Sequence, residues 1–419
     1  MGKFFSDKVE EGIRKVWMSF IPEEMYKGMQ LLEEAAGEGD ADAICFLARC
    51  YMGEDYVWHG GGLPVDEDKA AGLVKESALR GSAAGVLCAM RSGELTPAVR
   101  RGMPLTTTQA RGIILEKAEA GDAFCQYMIG NAYYWGDVIE MDHLDLEKDY
   151  PTEDAYNAYA YPIAIRWYER AIGGGLTFAI RNLRSIYQDE EGGIPRNDEA
   201  VLFYTKLCAE QGDPEMMNNY GALLAEAGHK KESFRWYKAS ADAGEGVGCY
   251  NTGWAYEYGN GVGEDDHKAF GYYMKAAQKG DESSYFKLGT YYFYGDAVEE
   301  DNAKAAYWLQ KGADEEEYWC YPLLGECYQE GWGVPQDMDR AFELFADAEE
   351  YIDEYDEDTQ GIVWNGLGNA YGYGEGVDED FKKAVEYYRS AVDAGNENAE
   401  ESLAHFKKNI FGQWKRYDD

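Results

Sequence analysis

Val247–Glu282 reads VGCYNTGWAYEYGNGVGEDDHKAFGYYMKAAQKGDE, a pair of helices around a Gly/Asp loop. The first helix carries Gly253 and Tyr256 and ends at Gly259. The second begins near Lys268-Ala269, carries Tyr272-Tyr273 and Ala276-Ala277, and stops at Gly280. That closing glycine is a ruler for the rest of the chain. It recurs at Gly39, Gly81, Gly121, Gly175, Gly212, Gly244 and Gly280, and Glu316 and Ile352 take the equivalent places before Gly395. Three successive intervals of 36 residues set the period. Repetition at this length predicts stacked helix pairs that share one continuous core.

Each column has a physical role. A glycine past the last helical turn takes a left-handed conformation that costs other residues more. Upstream of it come Lys69-Ala70, Lys268-Ala269, Lys304-Ala305, Arg340-Ala341 and Lys383-Ala384, where alanine admits a close neighbour. One turn further stand the expected large anchors: Trp167, Tyr204, Trp236, Tyr272, Trp308, Leu344 and Tyr387. The first helix has its own interior glycine at Gly130, Gly221, Gly253, Gly289, Gly325 and Gly368. Interior glycine costs about 1 kcal/mol relative to alanine, so a close approach of the paired helix must offset it. Tyr133, Tyr256, Tyr292, Tyr328 and Tyr371 follow three residues later.

These columns, L-G-x-x-Y-x-x-G, then G-V, then K-A-x-x-W/Y, then A-A-x-x-G, resemble the SEL-1-like repeat family, a relative of the tetratricopeptide repeats. The match is clearest in Val247–Glu282, Ser283–Glu317, Tyr318–Glu350 and Ile362–Gly395, and weaker from Ala41 to Gly244. The resemblance implies an all-α fold, an α/α solenoid forming a right-handed superhelix of about ten antiparallel helix pairs. It also implies an adaptor or scaffold role and supplies no catalytic residue. Residues 1–419 are then expected to form a single solenoid. Residues 1–40 are its N-terminal capping helix pair, 41–397 its repeats with a long insertion at 137–162, and 398–419 a capping helix and tail.

The chain has 419 residues, of which 79 are acidic and 39 basic, for a net charge of −40. Such a surface repels phosphate backbones and anionic membranes, so no nucleic acid and no membrane is expected as partner. No stretch approaches the roughly 18–20 apolar residues of a membrane span. The N-terminus lacks the layout of a secretory signal, because Asp7, Glu10 and Glu11 interrupt it. Gly2 and Ser6 fit a myristoylation pattern, but Phe5, Val9, Ile13, Val16, Trp17 and Phe20 fall on one helical face and read as the opening helix of the stack. Eight cysteines are present. Cys320 and Cys327 lie about 10 Å apart along a helix, too far for a bridge, and Cys45 and Cys50 point to different sides. They are expected as reduced thiols in a cytoplasmic protein.

Catalytic patterns are missing. Gly259-x-Gly261-x-Gly263 and Gly372-x-Gly374-x-Gly376 follow helices and recur with the repeat, whereas a dinucleotide site needs a strand before the loop. Asp142-His143 with Asp145 is the nearest approach to a metal cluster, in an acid-rich loop expected to be hydrated. No cofactor, no metal site and no enzyme activity are expected. The repeat ending at Gly121 carries Arg91, Arg100, Arg101 and Arg111, expected to pair with the protein's own carboxylates.

In the related tetratricopeptide repeats the first helix of each pair lines the concave face. By that analogy the groove is lined by Tyr127, Asn131, Tyr134 and Trp135, then by Tyr250, Trp254, Glu257 and Tyr258, then by Phe286, Phe293 and Tyr294, and finally by Asn365, Asn369 and Tyr373. Such a lining suits a protein or peptide partner with basic segments, since the rings offer apolar area and the acids favour Lys or Arg. The competing structural account is that several rings pack between repeats. Two other functions stay open: a hydrolase using groove carboxylates with the 137–162 insertion as lid, and an acidic nucleic-acid mimic that blocks a basic protein.

Overall fold

A computed structural model describes residues 4–53, 56–57, 62–141, 144, 148, 150, 152–188 and 193–417. The chain divides into two compact units, Met1–Leu223 and Leu224–Asp419, and the division falls inside the Pro214–Glu226 helix. Each unit is an α/α solenoid. The first opens with the pair Asp7–Trp17 and Pro22–Gly37, and Val9, Ile13, Val16 and Trp17 are buried as the spacing predicts. Pairs follow from Ala41–Tyr51 and Glu67–Leu79, Ala83–Arg91 and Thr107–Glu119, and Ala123–Tyr134 and Glu153–Gly173. In the second unit the pairs are Gly246–Glu257 with Asp266–Gln278, Ser283–Tyr294 with Asn302–Asp314, Tyr321–Glu330 with Met338–Glu349, and Glu357–Tyr373 with Phe381–Asp393.

The closing glycines are left-handed as expected, from Gly39 at φ 94° to Gly395 at φ 86°. Where the ruler lands on Glu316, that residue takes φ 62°, the one positive value at a non-glycine among the described residues. At Ile352 the chain forms a short 3₁₀ turn instead. The left-handed penalty for a side chain is about 1–2 kcal/mol, while glycine adds about 0.5–1 kcal/mol of unfolded-state entropy. Glu316→Gly is therefore expected to stabilise the second unit by about 0.5–1 kcal/mol, read as a higher denaturant midpoint with an unchanged slope.

Where the second helix carries the Lys-Ala or Arg-Ala step, it starts two residues before it, behind a capping aspartate. Asp265, Asp301 and Asp337 each accept a hydrogen bond from the backbone N–H three residues on, at 3.0–3.1 Å. Such caps are each worth about 1 kcal/mol.

The interior glycines do admit a close neighbour. A Cβ on Gly253 would lie 2.9 Å from the Tyr273 ring, and one on Gly368 or Gly130 would lie 2.7 Å from Tyr388 or Tyr168. The buried ring is thus one residue beyond the expected anchor column. Tyr168, Tyr273 and Tyr388 are fully buried. Tyr272 and Tyr387 instead stack on the tyrosines of the first helix: Tyr256–Tyr272 and Tyr371–Tyr387 each have ring centroids 5.8 Å apart and nearly parallel planes. A glycine facing the partner helix draws in the ring that points straight at it, and the preceding residue is turned toward the rim.

The capping helix ends at Ala404, and within the tail Phe406–Lys408 pairs antiparallel with Trp414–Arg416. Phe406 covers Tyr388 at 5.6 Å, while Phe411 is exposed. The 137–162 insertion also takes part in the packing. Its second half extends the Glu153–Gly173 helix, and the Tyr156 hydroxyl donates to the Tyr133 carbonyl at 2.9 Å. Asp142, His143 and Asp145, as well as His59 and Gly2, lie outside the described residues.

Candidate interaction surfaces

In the first unit a cavity of about 610 Å³ is lined by Arg49, Tyr56, Arg91, Tyr127, Asn131, Trp135, Asp137, Phe178, Arg181 and Asn182. Repeat geometry builds it. Arg49, Arg91 and Asn131 are each the ninth residue of their helices, the place Trp254 takes in Gly246–Glu257. Three of the expected groove residues, Tyr127, Asn131 and Trp135, meet here. Tyr127 packs edge-on against Phe178 at 5.7 Å, and Trp135 is 61% exposed at the rim against Tyr134. Asn131 Oδ1 accepts from the Tyr168 hydroxyl at 2.8 Å and from Asn182 at 2.9 Å. With that oxygen occupied, its Nδ2 protons are what Asn131 can offer a ligand.

The arginines were not among the expected groove residues. Arg91 pairs with Asp137, whose carboxyl is pushed up by burial and pulled back by Arg91. Arg181 reaches Glu215 at 2.7 Å, and Arg100 reaches Glu140 at 2.7 Å, so these cations do meet the protein's own acids. Arg49 does not. It is 3% exposed, its guanidinium lies 5.1 Å from the Tyr56 ring and 5.2 Å from the Phe124 ring, and among the described residues no carboxylate pairs with it.

The second unit carries a different surface. Trp254, 38% exposed, packs on Tyr258 at 5.3 Å. Tyr294 and Trp332 flank Phe293 at 5.1 and 5.6 Å, and Tyr373 lies under Arg416 at 4.6 Å. Trp332 was missed because it stands past the helix-ending Gly331, outside the first-helix columns. Glu326 is pushed up to about 7, by burial first and then by the charge of Glu330.

Other expected groove residues serve the framework. Glu257 accepts from the Tyr273 hydroxyl and from Lys287 at 2.8 Å, so its charge is already met. Lys287 also donates to the Tyr258 hydroxyl at 3.1 Å. Tyr250 packs on Tyr273 at 5.4 Å and Phe286 on Trp319 at 5.9 Å. Asn369 Oδ1 accepts from the Tyr388 hydroxyl at 2.9 Å, and Asn365 Oδ1 is buried.

Among the described residues no helix is long and apolar enough to cross a membrane. No curated protein sequence matches the chain. A Sel1 repeat protein from Oxalobacter formigenes is similar in structure, with 23% identity over 96% of both chains and a TM-score of 0.48. A protective antigen of uropathogenic Escherichia coli described as displaying an SLR fold is similar at 21% identity, over 94% of this chain and 87% of the antigen, with a TM-score of 0.50. The Sel1 repeat model matches residues 41–82, 160–176, 214–245, 246–281, 283–316, 323–348 and 365–396, more than half of the chain. With its glycine-ruled helix pairs and that match, the chain belongs to the Sel1 repeat family.

Proposed function

We propose that the chain is a non-catalytic scaffold that holds a segment of a partner protein against the faces of its first helices. The observation that carries this is the set of exposed rings at Trp254, Tyr258, Tyr294, Trp332 and Tyr373, spread over successive repeats of the second unit. Exposed rings beside Glu326 and Glu330 favour a partner segment with Lys or Arg between apolar residues. The arginine-lined cavity of the first unit favours the opposite charge. Buried, unbridged cysteines among the described residues suit the reducing cytoplasm.

A peptide library presented to the full chain should enrich basic, aromatic-accepting sequences. Trp254→Ala is expected to weaken the selected peptide by about tenfold or more, as a ring at the centre of an interface does. Equal capture of acidic and basic peptides, with no effect of Trp254→Ala, would sink this reading. The net charge of −40 favours one rival, an acidic mimic that blocks a basic protein. Its binding would vanish at moderate salt and tolerate loss of the rings.

A further inference from the structure

The first two repeats bury a pair of thiols. Cys45 and Arg49 lie one helical turn apart on Ala41–Tyr51, and that spacing sets both against Cys88 on Ala83–Arg91. The Cys45 thiol donates to Cys88 Sγ at 3.6 Å, and Arg49 Nη1 donates to the same sulfur at 3.5 Å. A buried guanidinium is costly without a counter-anion. Arg49 has two rings against it, no carboxylate pairs with it among the described residues, Asp137 being held by Arg91, and its buried Nε has no partner. Cys88 is the group placed to supply the anion.

The electrostatics agree with the geometry. The hydrogen bond from Cys45, and then the charge of Arg49, bring the Cys88 thiol down against its burial. The same bond, with burial, pushes Cys45 up. Burial likewise pushes Cys50, Cys125, Cys208, Cys249, Cys320 and Cys327 up. Beside Cys88 lies a void of about 10 Å³, whose walls include Arg49, Tyr56, Arg91, Asn131 and Asp137 in common with the larger cavity. That is room for about one water-sized molecule.

We propose that Cys88 and Cys45 form a hydrogen-peroxide-reactive dithiol that closes to a disulfide, with the narrow void on the side of the larger cavity barring bulkier thiol reagents. The Cys88 thiolate attacks one peroxide oxygen; an S–O bond forms, the O–O bond breaks, and the other oxygen leaves as hydroxide, which takes a proton from solvent to become water. Cys45 then gives up its proton and attacks the Cys88 sulfenic sulfur. The S–S bond forms, the S–O bond breaks, and the hydroxyl leaves with that proton as a second water. Two thiols lose two electrons and one peroxide gains them.

The test uses the reduced full chain, exposed to hydrogen peroxide, quenched at intervals by alkylation and mapped by mass spectrometry without reduction. The Cys45–Cys88 cross-link is expected to appear at least about tenfold faster than oxidation of the remaining cysteines. Arg49→Met should slow it by about tenfold or more, and Cys45→Ser should leave Cys88 as a sulfenic acid that dimedone traps. A bulky aromatic disulfide should react with Cys88 no faster than with the other buried thiols. Earlier oxidation of any other cysteine, oxidation of Cys88 without the cross-link, or an undiminished rate in a folded Arg49→Met variant would each overturn the proposal. The wild-type map decides the order of reaction even if a variant fails to fold.

Discussion

Gly261→Ala is expected to destabilise the second unit by about 3–5 kcal/mol. Two costs combine. Gly261 sits at φ 80°, where a side chain adds strain of about 1–2 kcal/mol. A Cβ there would also overlap the Lys230 carbonyl, 2.5 Å from its carbon and 3.0 Å from Lys231 Cα. Those atoms are backbone at the start of the Lys230–Asp242 helix, so they cannot rotate aside as a side chain would. The loop would have to lift off the preceding repeat. Gly333 and Gly376 meet Asn302 and Met338 in the same way, each at the first residue of the preceding second helix. Gly263, two residues along, has open space at its Cβ. Gly263→Ala is therefore the internal control, expected within about 0.5 kcal/mol of wild type. Urea unfolding of the two variants side by side checks the pair, and similar midpoints would refute the close-approach account.

The second large effect is expected at Tyr168, the ring that fills the place opposite Gly130. Tyr168→Ala should cost about 3–5 kcal/mol, the range for deleting a buried aromatic side chain. Tyr168→Phe should cost only about 1–2 kcal/mol, because the hydroxyl donates to Asn131 and accepts from Asn182 at 3.0 Å, yet Asn131 Oδ1 still accepts from Asn182 once it is gone. Thermal or denaturant unfolding separates the two. If the phenylalanine variant were as damaged as the alanine one, the hydroxyl rather than the ring would be the main contribution, contrary to the packing seen here.

The repeat was legible because its punctuation is chemical. A left-handed glycine and an interior glycine are each hard to replace, so they recur and can be counted. The buried ring was misplaced by one residue because Trp308, Tyr272 and Tyr387 look like anchors by size, and size does not say which neighbour faces Gly289, Gly253 or Gly368. Arg49 and Arg91 were not placed in the groove for a related reason. Ala48 and Met90 stand before them where the other first helices have glycine, so the ruler gave no mark. Of the expected groove residues, Trp254, Tyr258, Tyr294 and Tyr373 are exposed, while Tyr250 and Phe286 pack between elements. Alternation of ring and polar residue looks the same in both cases, and only the packed helices distinguish them. The Cys45–Cys88 contact joins residues 43 positions apart on two first helices, a proximity that no local spacing announces.

The position after the interior glycine has a wider consequence. Its neighbours are constrained on both sides: the glycine by the ring above it, the ring by the helix beneath. The position itself carries asparagine, tryptophan, threonine and glutamate at Asn131, Trp254, Thr290 and Glu326, and arginine at Arg49 where alanine replaces the glycine, while the surrounding helices keep one geometry. In the scaffold function proposed above, this position varies what a repeat presents while the glycine and the ring beside it keep the fold, even where, as at Asn131, the same side chain also bonds the buried ring.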